Sequence, residues 1–272
     1  MPDLVVIMSV YKNDKLKYVA ESVQSILNQT LINFDYYIVF DGPVSSDIDY
    51  YINSIRDKRI VLFRRTHNEG LASALNYLLV HILKKPEYKF IARMDADDVS
   101  LPSRFEKQRN FLFVNKEISI VGCWYEEIDK SGNHLSFKKL PLDHKSLRKR
   151  YYIRAPFAHP SVMYTRDLIR LAGFYPTDTI LMEDNVLWGK AIILGLRLAN
   201  IPEYLLKFRI DKDFYKRRSG IKYGWNFIKT KFKINKSFKL PVYSYILLIV
   251  VGSIKMMPSF VLRYVYMIVR IF

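Results

Sequence analysis

The sequence predicts an α/β fold in which a mostly parallel sheet is flanked by helices and followed by an apolar, amphipathic helical tail. Three observations carry this expectation. Strand-like and helix-like patterns alternate through the first 123 residues, as crossovers between parallel strands require. Polar clusters recur where apolar strand runs end, which is where ligands bind in such sheets. From Leu240 onward the chain becomes almost wholly apolar.

The elements follow in order. Leu4–Val10 is a short run rich in β-branched residues and reads as a strand. Lys15–Asn28 places Leu16, Val19, Val23, Ile26 and Leu27 on one side at helical spacing. Tyr36–Phe40 is the next strand, Ser46–Arg56 a helix and Arg59–Phe63 a strand. Glu69–Leu83 is helical and Tyr88–Met94 extended. Pro102 opens a helix reaching Asn115, since proline suits a first helical turn. Ile118–Cys123 is a further strand. The second half is less regular. Lys138–Arg154 is basic and loop-like with some helix, and Ser161–Tyr164 is a short strand. Glu183–Leu194 is a helix with acids at its start, where the helix dipole favours them. Another helix is expected from near Ser219. There is no internal repeat and no low-complexity linker.

The tail has its own logic. Leu240–Gly252 is interrupted by Pro241 and stopped by Lys255, so it is shorter than the ~20 apolar residues of a spanning helix. Ser259–Phe272 is apolar with Arg263 and Arg270 interspersed. Just upstream, Lys207–Lys239 carries 12 Lys or Arg against two Asp. Apolar plus cationic is the composition of a segment lying in a membrane interface, which is favoured over a buried helical hairpin.

At 272 residues the chain can bury a substantial core. Half of it is hydrophobic, which speaks against disorder. The formal charge of +17 suits nucleic acid, anionic lipid or a polyanionic substrate. Nucleic acid is disfavoured because the basic block merges into an apolar tail, not into an aromatic-studded groove. Cys123 is the sole cysteine, so no internal disulfide forms. Flanked by Val121, Gly122 and Trp124, it reads as a small buried hydrophobe. No basic leader or cleavage site marks the N-terminus, so no secretory signal is expected.

The chemistry concentrates at Phe90–Asp98. An apolar run ends and Asp95, Asp97 and Asp98 follow at once. Carboxylates this close repel unless something positive sits among them. A hard divalent cation with oxygen ligands, Mn²⁺ or Mg²⁺, suits that role beside substrate phosphates. Ser9–Asn13 and Asp41–Pro43 also lie at strand ends, so a parallel sheet would bring all three clusters to one rim. The first strand is not followed by Gly-x-Gly-x-x-Gly, which excludes the dinucleotide-binding turn. No second His or Cys stands at ligand spacing from His159 to make a zinc site.

Read in order, seven pieces resemble a family 2 glycosyltransferase of the Rossmann-like GT-A fold. They are Met8-Ser-Val-Tyr-Lys-Asn13, Phe40-Asp-Gly42, Asn68-Glu-Gly-Leu-Ala-Ser-Ala-Leu-Asn76, Met94-Asp-Ala-Asp-Asp98, Pro102-Ser-Arg-Phe-Glu-Lys-Gln108, His159-Pro-Ser161 and Glu183-Asp-Asn-Val-Leu-Trp188. The resemblance spans residues 3–210 and points to bacterial enzymes that build capsule, O-antigen or exopolysaccharide. It implies a catalytic domain over 1–210, with a nucleotide-binding half at 1–123 and an acceptor-binding half at 124–210. Residues 211–272 would be a membrane-associating region.

Particular roles follow from the same resemblance. Val10, Tyr11 and Asp41 would hold the base, and Asn68 and Gly70 would line the nucleotide pocket. Asp95 would face the ribose and Asp97 would bind the metal. Asp98 would support that site or touch the donor sugar. On the donor side, Arg104 would back the Asp cluster or be a plain helix charge, and Arg217 and Arg218 would clamp the diphosphate or belong to the basic surface. Asp184, beside Glu183, would be the general base, and Trp124, His159 and Trp188 would face the acceptor. One departure is that Phe40 and Pro43 stand where many relatives carry an acid and a hydroxyl residue, which leaves base recognition to Asp41 alone. The activity implied is inverting, metal-dependent transfer from a nucleotide-diphosphate sugar, with a UDP-sugar favoured. The acceptor would be a polysaccharide or lipid-linked oligosaccharide, and the enzyme would sit peripherally at the cytoplasmic membrane face. The competing reading is a basic nucleic-acid- or membrane-binding protein with a degenerate, non-catalytic domain.

Overall fold

Alternating burial along the first strand sets the architecture. In a computed structural model, β1 (Leu4–Val10) sends Leu4, Val6, Met8 and Val10 to one face of a sheet and Val5 and Ile7 to the other. The period of two is that of a strand buried on both sides. The structure describes residues 1–152, 154–179, 181–210, 214–238, 240 and 242–262. The apolar end expected to meet a membrane at 263–272 therefore lies outside the described residues.

After β1 come α1 (Leu16–Leu27), β2 (Asp35–Phe40), α2 (Ser46–Ser54), β3 (Ile60–Arg64), α3 (Leu71–Leu83) and β4 (Phe90–Asp95). The short β5 (Val99–Ser100) precedes α4 (Arg104–Val114), β6 (Ile118–Ile128) and β7 (His134–Lys138). Then follow α5 (His144–Tyr151), a 3-10 turn at His159–Ser161, β8 (Met163–Thr165), α6 (Arg166–Ala172), α7 (Glu183–Ile193) and β9 (Arg197–Arg209). The described chain continues through α8 (Phe214–Arg217), α9 (Ile221–Ser237) and α10 (Val242–Met256).

The strands form one sheet in the order β3-β2-β1-β4-β8-β6-β9-β5, with β7 added to β6. Pairing is parallel from β3 to β4 and again between β6 and β9, while β8 runs antiparallel to β4 and β6. One face packs under α1, α2 and α4 through Val19, Val23, Ile26, Ile48, Phe105 and Leu112. The other packs under α3, α5, α6 and α7 through Leu75, Leu78, Leu147, Leu168 and Leu187. Cys123 is buried as expected, in the core under α1, α2 and α4, and burial pushes its thiol up to about 11.

The second half is more regular than the sequence implies. The strand expected at Ile118–Cys123 runs on to Ile128 and pairs along its length with β9. Pro202 obscures β9 in the sequence because proline cannot donate a ladder hydrogen bond. The structure accommodates it at a bulge, where Cys123 pairs with Ile201 but Trp124 pairs with Tyr204. Because β6 crosses residues 123 and 124, the sheet is continuous through both halves of the expected domain.

α9 and α10 pair antiparallel and closely. A Cβ on Gly252 would meet Ile228 Cγ1 at 2.3 Å, and one on Gly224 would meet Met256 Cγ at 2.3 Å, so small residues are required where the backbones approach. Among the described residues no helix is long and apolar enough to cross a membrane.

Candidate active site

Parallel register levels the ends of the strands. Met8 pairs with both Ile38 and Met94, and Ser9 with both Val39 and Asp95. The chain leaving β1, β2 and β4 therefore emerges on one rim. There one carboxylate oxygen each from Asp95, Asp97 and Asp98 lies within 4.8 Å of the others. Burial and the Asp95 charge push Asp97 up to about 6, and burial together with both neighbours raises Asp98 well above the usual carboxylate range. Asp98 is 1 % exposed; its Oδ1 accepts from the Arg209 amide at 2.7 Å, while its Oδ2 is buried without a hydrogen-bond partner. An orphaned carboxylate oxygen within a set of oxygen donors fits Mn²⁺ or Mg²⁺.

Three residues that the sequence did not single out complete this rim. Asp14 accepts the Tyr11 amide at 2.9 Å, and burial, with Asp97 and Asp95 nearby, pushes it up to about 7. Arg209, at the end of β9, donates from Nε to the Asp97 carbonyl at 2.8 Å and ion-pairs with Glu21. Arg93, only 1 % exposed, ion-pairs with Asp95 and leaves its Nε and Nη1 unpartnered.

Arg93 also joins the rim to a second acidic pair. Its charge acts on Glu183 and Asp184, both raised chiefly by burial. Glu183 additionally feels Asp95, and Asp184 feels Arg218. Both acids stand in the first turn of α7, just after Leu181, whose φ of 52° lies in the left-handed region. From below, Tyr151 Oη donates to the Asn185 carbonyl at 2.6 Å. The fully buried Lys231 donates to the Tyr151 carbonyl at 2.6 Å and lies 3.7 Å from its ring centroid. Burial pushes Lys231 down to about 7.

The remaining expected residues divide into those at the cleft and those beneath it. The Tyr11 phenol is raised by burial and by Asp14, and it also feels Arg217 and Asp97. Arg217 acts on Asp14 and Asp97, whereas Arg218 acts on Asp184. Neighbouring arginines thus address the two acidic groups separately. Asn68 is exposed, and its amide nitrogen would be 2.7 Å from a Cβ on Gly42, whose φ is +81°.

Four of the expected residues are engaged within the fold. Asp41 is 2 % exposed, and its carboxylate accepts from Arg65 Nη1 at 2.8 Å, the Gly70 amide at 2.8 Å and the Glu69 amide at 3.2 Å. It staples the end of β2 to the start of α3. The Val10 side chain is in the core, and its carbonyl accepts the Asp41 amide. Arg104 is wholly buried, donating to the Arg93 carbonyl at 2.8 Å and to Gln108. Its charge acts on Asp98, as for a residue that backs the acidic cluster. Trp188 is likewise fully buried, among Phe157, Tyr164, Tyr175 and His159.

His159 is partly exposed and shares a 3.1 Å hydrogen bond with Tyr175 Oη; burial and Arg93 hold it well below its ordinary value. Trp124 gives its indole N–H to the Leu140 carbonyl at 2.9 Å and packs on Tyr204. Other motif residues act as struts. Gln108 donates to the Ser161 carbonyl at 2.7 Å, and the Asn76 amide exchanges two hydrogen bonds with the Tyr175 backbone.

A mixed α/β sheet with this acidic rim and a facing helix-borne acid pair defines a glycosyltransferase of the GT-A fold, and comparison with known proteins gives the family. The profile of "Glycosyl transferase family 2" matches residues 5–170, and the chain belongs to that family. It is 30 % identical over 268 residues to the UDP-Gal:alpha-D-GlcNAc-diphosphoundecaprenol beta-1,3-galactosyltransferase of Escherichia coli, covering 97 % of this chain and 95 % of that one. It is 31 % identical to the amylovoran biosynthesis glycosyltransferase AmsE of Erwinia amylovora, over 84 % of this chain and 83 % of the relative. Among solved structures, the Pyrobaculum calidifontis mannosyltransferase PcManGT, in complex with GDP-Man and Mn²⁺, superposes with a TM-score of 0.67 at 16 % identity, covering 100 % of this chain and 81 % of that one. S. aureus TarS 1-349 in complex with UDP-GlcNAc gives 0.63 at 16 % identity, covering 96 % and 83 %.

Proposed function

We propose that this glycosyltransferase is inverting and metal-dependent, and that it moves a sugar from a UDP-sugar to a lipid-diphosphate-linked saccharide destined for a surface polysaccharide. The observation that carries the reading is the cleft itself. Two acidic groups, one built for a cation and one at a helix start, come within reach of a single buried guanidinium. The E. coli relative, which aligns over 97 % of this chain, is named for a UDP-sugar donor and a diphosphoundecaprenol acceptor.

In this reading Asp97, with Asp95 and Asp98, holds Mn²⁺ or Mg²⁺, which when bound supplies Lewis-acid neutralisation of the donor diphosphate. Tyr11, Asn68 and Gly70 border the nucleotide, and Arg217 adds positive charge beside it. Asp184 takes the proton of the acceptor hydroxyl as the new bond forms. Burial raises its basicity toward the range where a general base works, and Arg93 and Arg218 keep it from being neutralised outright. One base and one departing diphosphate suffice for in-line attack, which inverts the anomeric centre. His159 borders the acceptor side. Residues 1–123 serve the donor and 124–210 the acceptor, and residues 211–272 give peripheral contact with the cytoplasmic membrane face.

The test is transfer by the purified full chain from a panel of nucleotide-diphosphate sugars with Mn²⁺, with the product's anomeric configuration read by NMR. An inverted product from one UDP-sugar is expected. A retained configuration, or transfer undiminished by chelation, would overturn the mechanism.

A further inference from the structure

The inward and outward faces of the α9–α10 hairpin differ sharply. Inward, α9 buries Tyr223, Phe227, Lys231 and Ile234, and α10 buries Ser244, Leu248 and Gly252. The cation of α10, Lys255, also turns inward, 5.0 Å from the Phe227 ring and 5.3 Å from that of Tyr223. Outward, α10 presents Val242, Tyr243, Ile246, Ile249 and Val250, each more than half exposed. On α9, Ile221 and Trp225 are also more than half exposed and Phe232 nearly so, at spacings that keep them on one stripe. Beside that stripe runs a second one of exposed Lys222, Lys229, Lys233 and Lys236.

A helix packed only in water would not place its cation inward and its aliphatic residues outward. We propose that this outward face is the docking surface for an anionic lipid bilayer, with the α10 aliphatics and Trp225 entering the interface and the α9 lysines meeting the headgroups. Charge complementarity selects the partner. An apolar face bordered by a row of lysines matches a surface that is apolar inside and negative at its edge. A second copy related by a two-fold axis would bring lysine-bordered faces of like sign together. The inference deepens the membrane contact proposed above by naming its face. It also fixes an orientation, because Lys231, on the opposite side of α9, is hydrogen-bonded through Tyr151 to the start of α7. The Asp184 side of the cleft is thereby tied to the element that docks.

The experiment is flotation of the full chain with phosphatidylcholine vesicles, with and without phosphatidylglycerol. The wild type is expected to float with the anionic vesicles and to lose most of that binding in high salt. The triple variant Ile246→Ser/Ile249→Ser/Val250→Ser and the variant Lys222→Glu/Lys229→Glu/Lys233→Glu/Lys236→Glu should each bind about tenfold more weakly or worse. Both should keep the wild-type rate of nucleotide-sugar hydrolysis, which shows that the fold and cleft survive. Equal flotation by the variants, or none by the wild type, would overturn the proposal. So would a dimer that the variants dissolve while vesicle binding persists, or binding lost only when the chain is ended at residue 262. Failure to transfer any sugar would sink the proposed reaction yet leave the flotation result standing.

Discussion

The two acidic groups of the cleft are held in opposite ways. Asp95, Asp97 and Asp98 leave the end of a buried strand, and their supports, Arg93 and Arg209, are main sheet residues with almost no exposure. Glu183 and Asp184 stand at the start of a helix propped by Tyr151, which Lys231 holds in turn from the exposed hairpin. The first group is fixed by the core of the fold. The second depends on an element with a large apolar outer face. On the proposed reading, the donor end stays constant while the acceptor end answers to the proposed docking surface.

Substitution at each group sharpens the contrast. Asp97→Ala should lower transfer ~10³-fold or more, the scale of losing a preorganised electrostatic contact to developing charge, and should abolish stabilisation by Mn²⁺. Asp184→Asn should cost ~10²-fold or more, as expected for a lost general base, yet keep Mn²⁺ stabilisation and donor binding. Calorimetric titration with donor and Mn²⁺, beside transfer rates, checks both. If the two variants behave alike, the cleft is not divided as proposed. Arg93→Met should be the most destabilising single change at the rim, by about 1–3 kcal/mol, because it takes the partner from the half-buried Asp95 and a compensating charge from the buried Asp98. Urea unfolding measures this, and Arg93→Lys should recover part of it.

Metal and pH address the rim alone. In the metal-free protein Asp97 is pushed up to about 6 and Asp14 to about 7. Between the ordinary carboxylate value and those values the folded state binds more protons than the unfolded chain, so stability is lost as pH rises through 6 and 7. Mn²⁺ competes with these protons. Saturating Mn²⁺ should therefore raise the melting temperature more at pH 7.5 than at pH 5.5, with about 2.7 kcal/mol gained at a hundredfold excess over Kd. Equal shifts at both pH values would remove the rim from metal binding.

The same contrast explains what could be read from the sequence. The acidic rim was legible because Asp95, Asp97 and Asp98 adjoin one another and end a strand. Its supports were not. Arg209 is 111 residues from Asp98, and Pro202 disguised the strand that delivers it. Arg93 sits inside the motif, where the pattern marks it only as one more strand residue. The available signal was a cation within an otherwise apolar run, which must be paired if it points inward. Asp41 and Arg104 were recognisable as motif residues, but sequence pattern cannot separate a side chain that touches substrate from one that staples the backbone beneath it. At the start of α7 the Glu-Asp pair was legible, whereas Tyr151 and Lys231 lie 80 residues apart and meet only through the fold.

The smallest effect tests the link between the cleft and the hairpin. Lys231 is fully buried, and burial lowers it from 10.5 to about 7. In the unfolded chain it keeps its proton up to about the ordinary value, so between these limits the unfolded state holds more protons and stability rises with pH. The rise for one group is at most about 1.4 kcal/mol per pH unit. Lys231→Met fills a similar volume but removes both this slope and the hydrogen bond to the Tyr151 carbonyl. The offset at any single pH mixes the two effects, while the change with pH isolates the proton. Lys255, pushed down to about 8, titrates in both proteins and largely cancels in the difference. Urea unfolding of wild type and variant at pH 7, 8 and 9 should show the wild type gaining on the variant at each step. A constant difference would mean that the Lys231 ammonium keeps its water and that α9 is not clamped onto Tyr151, which would release Asp184 from any influence of the docked hairpin.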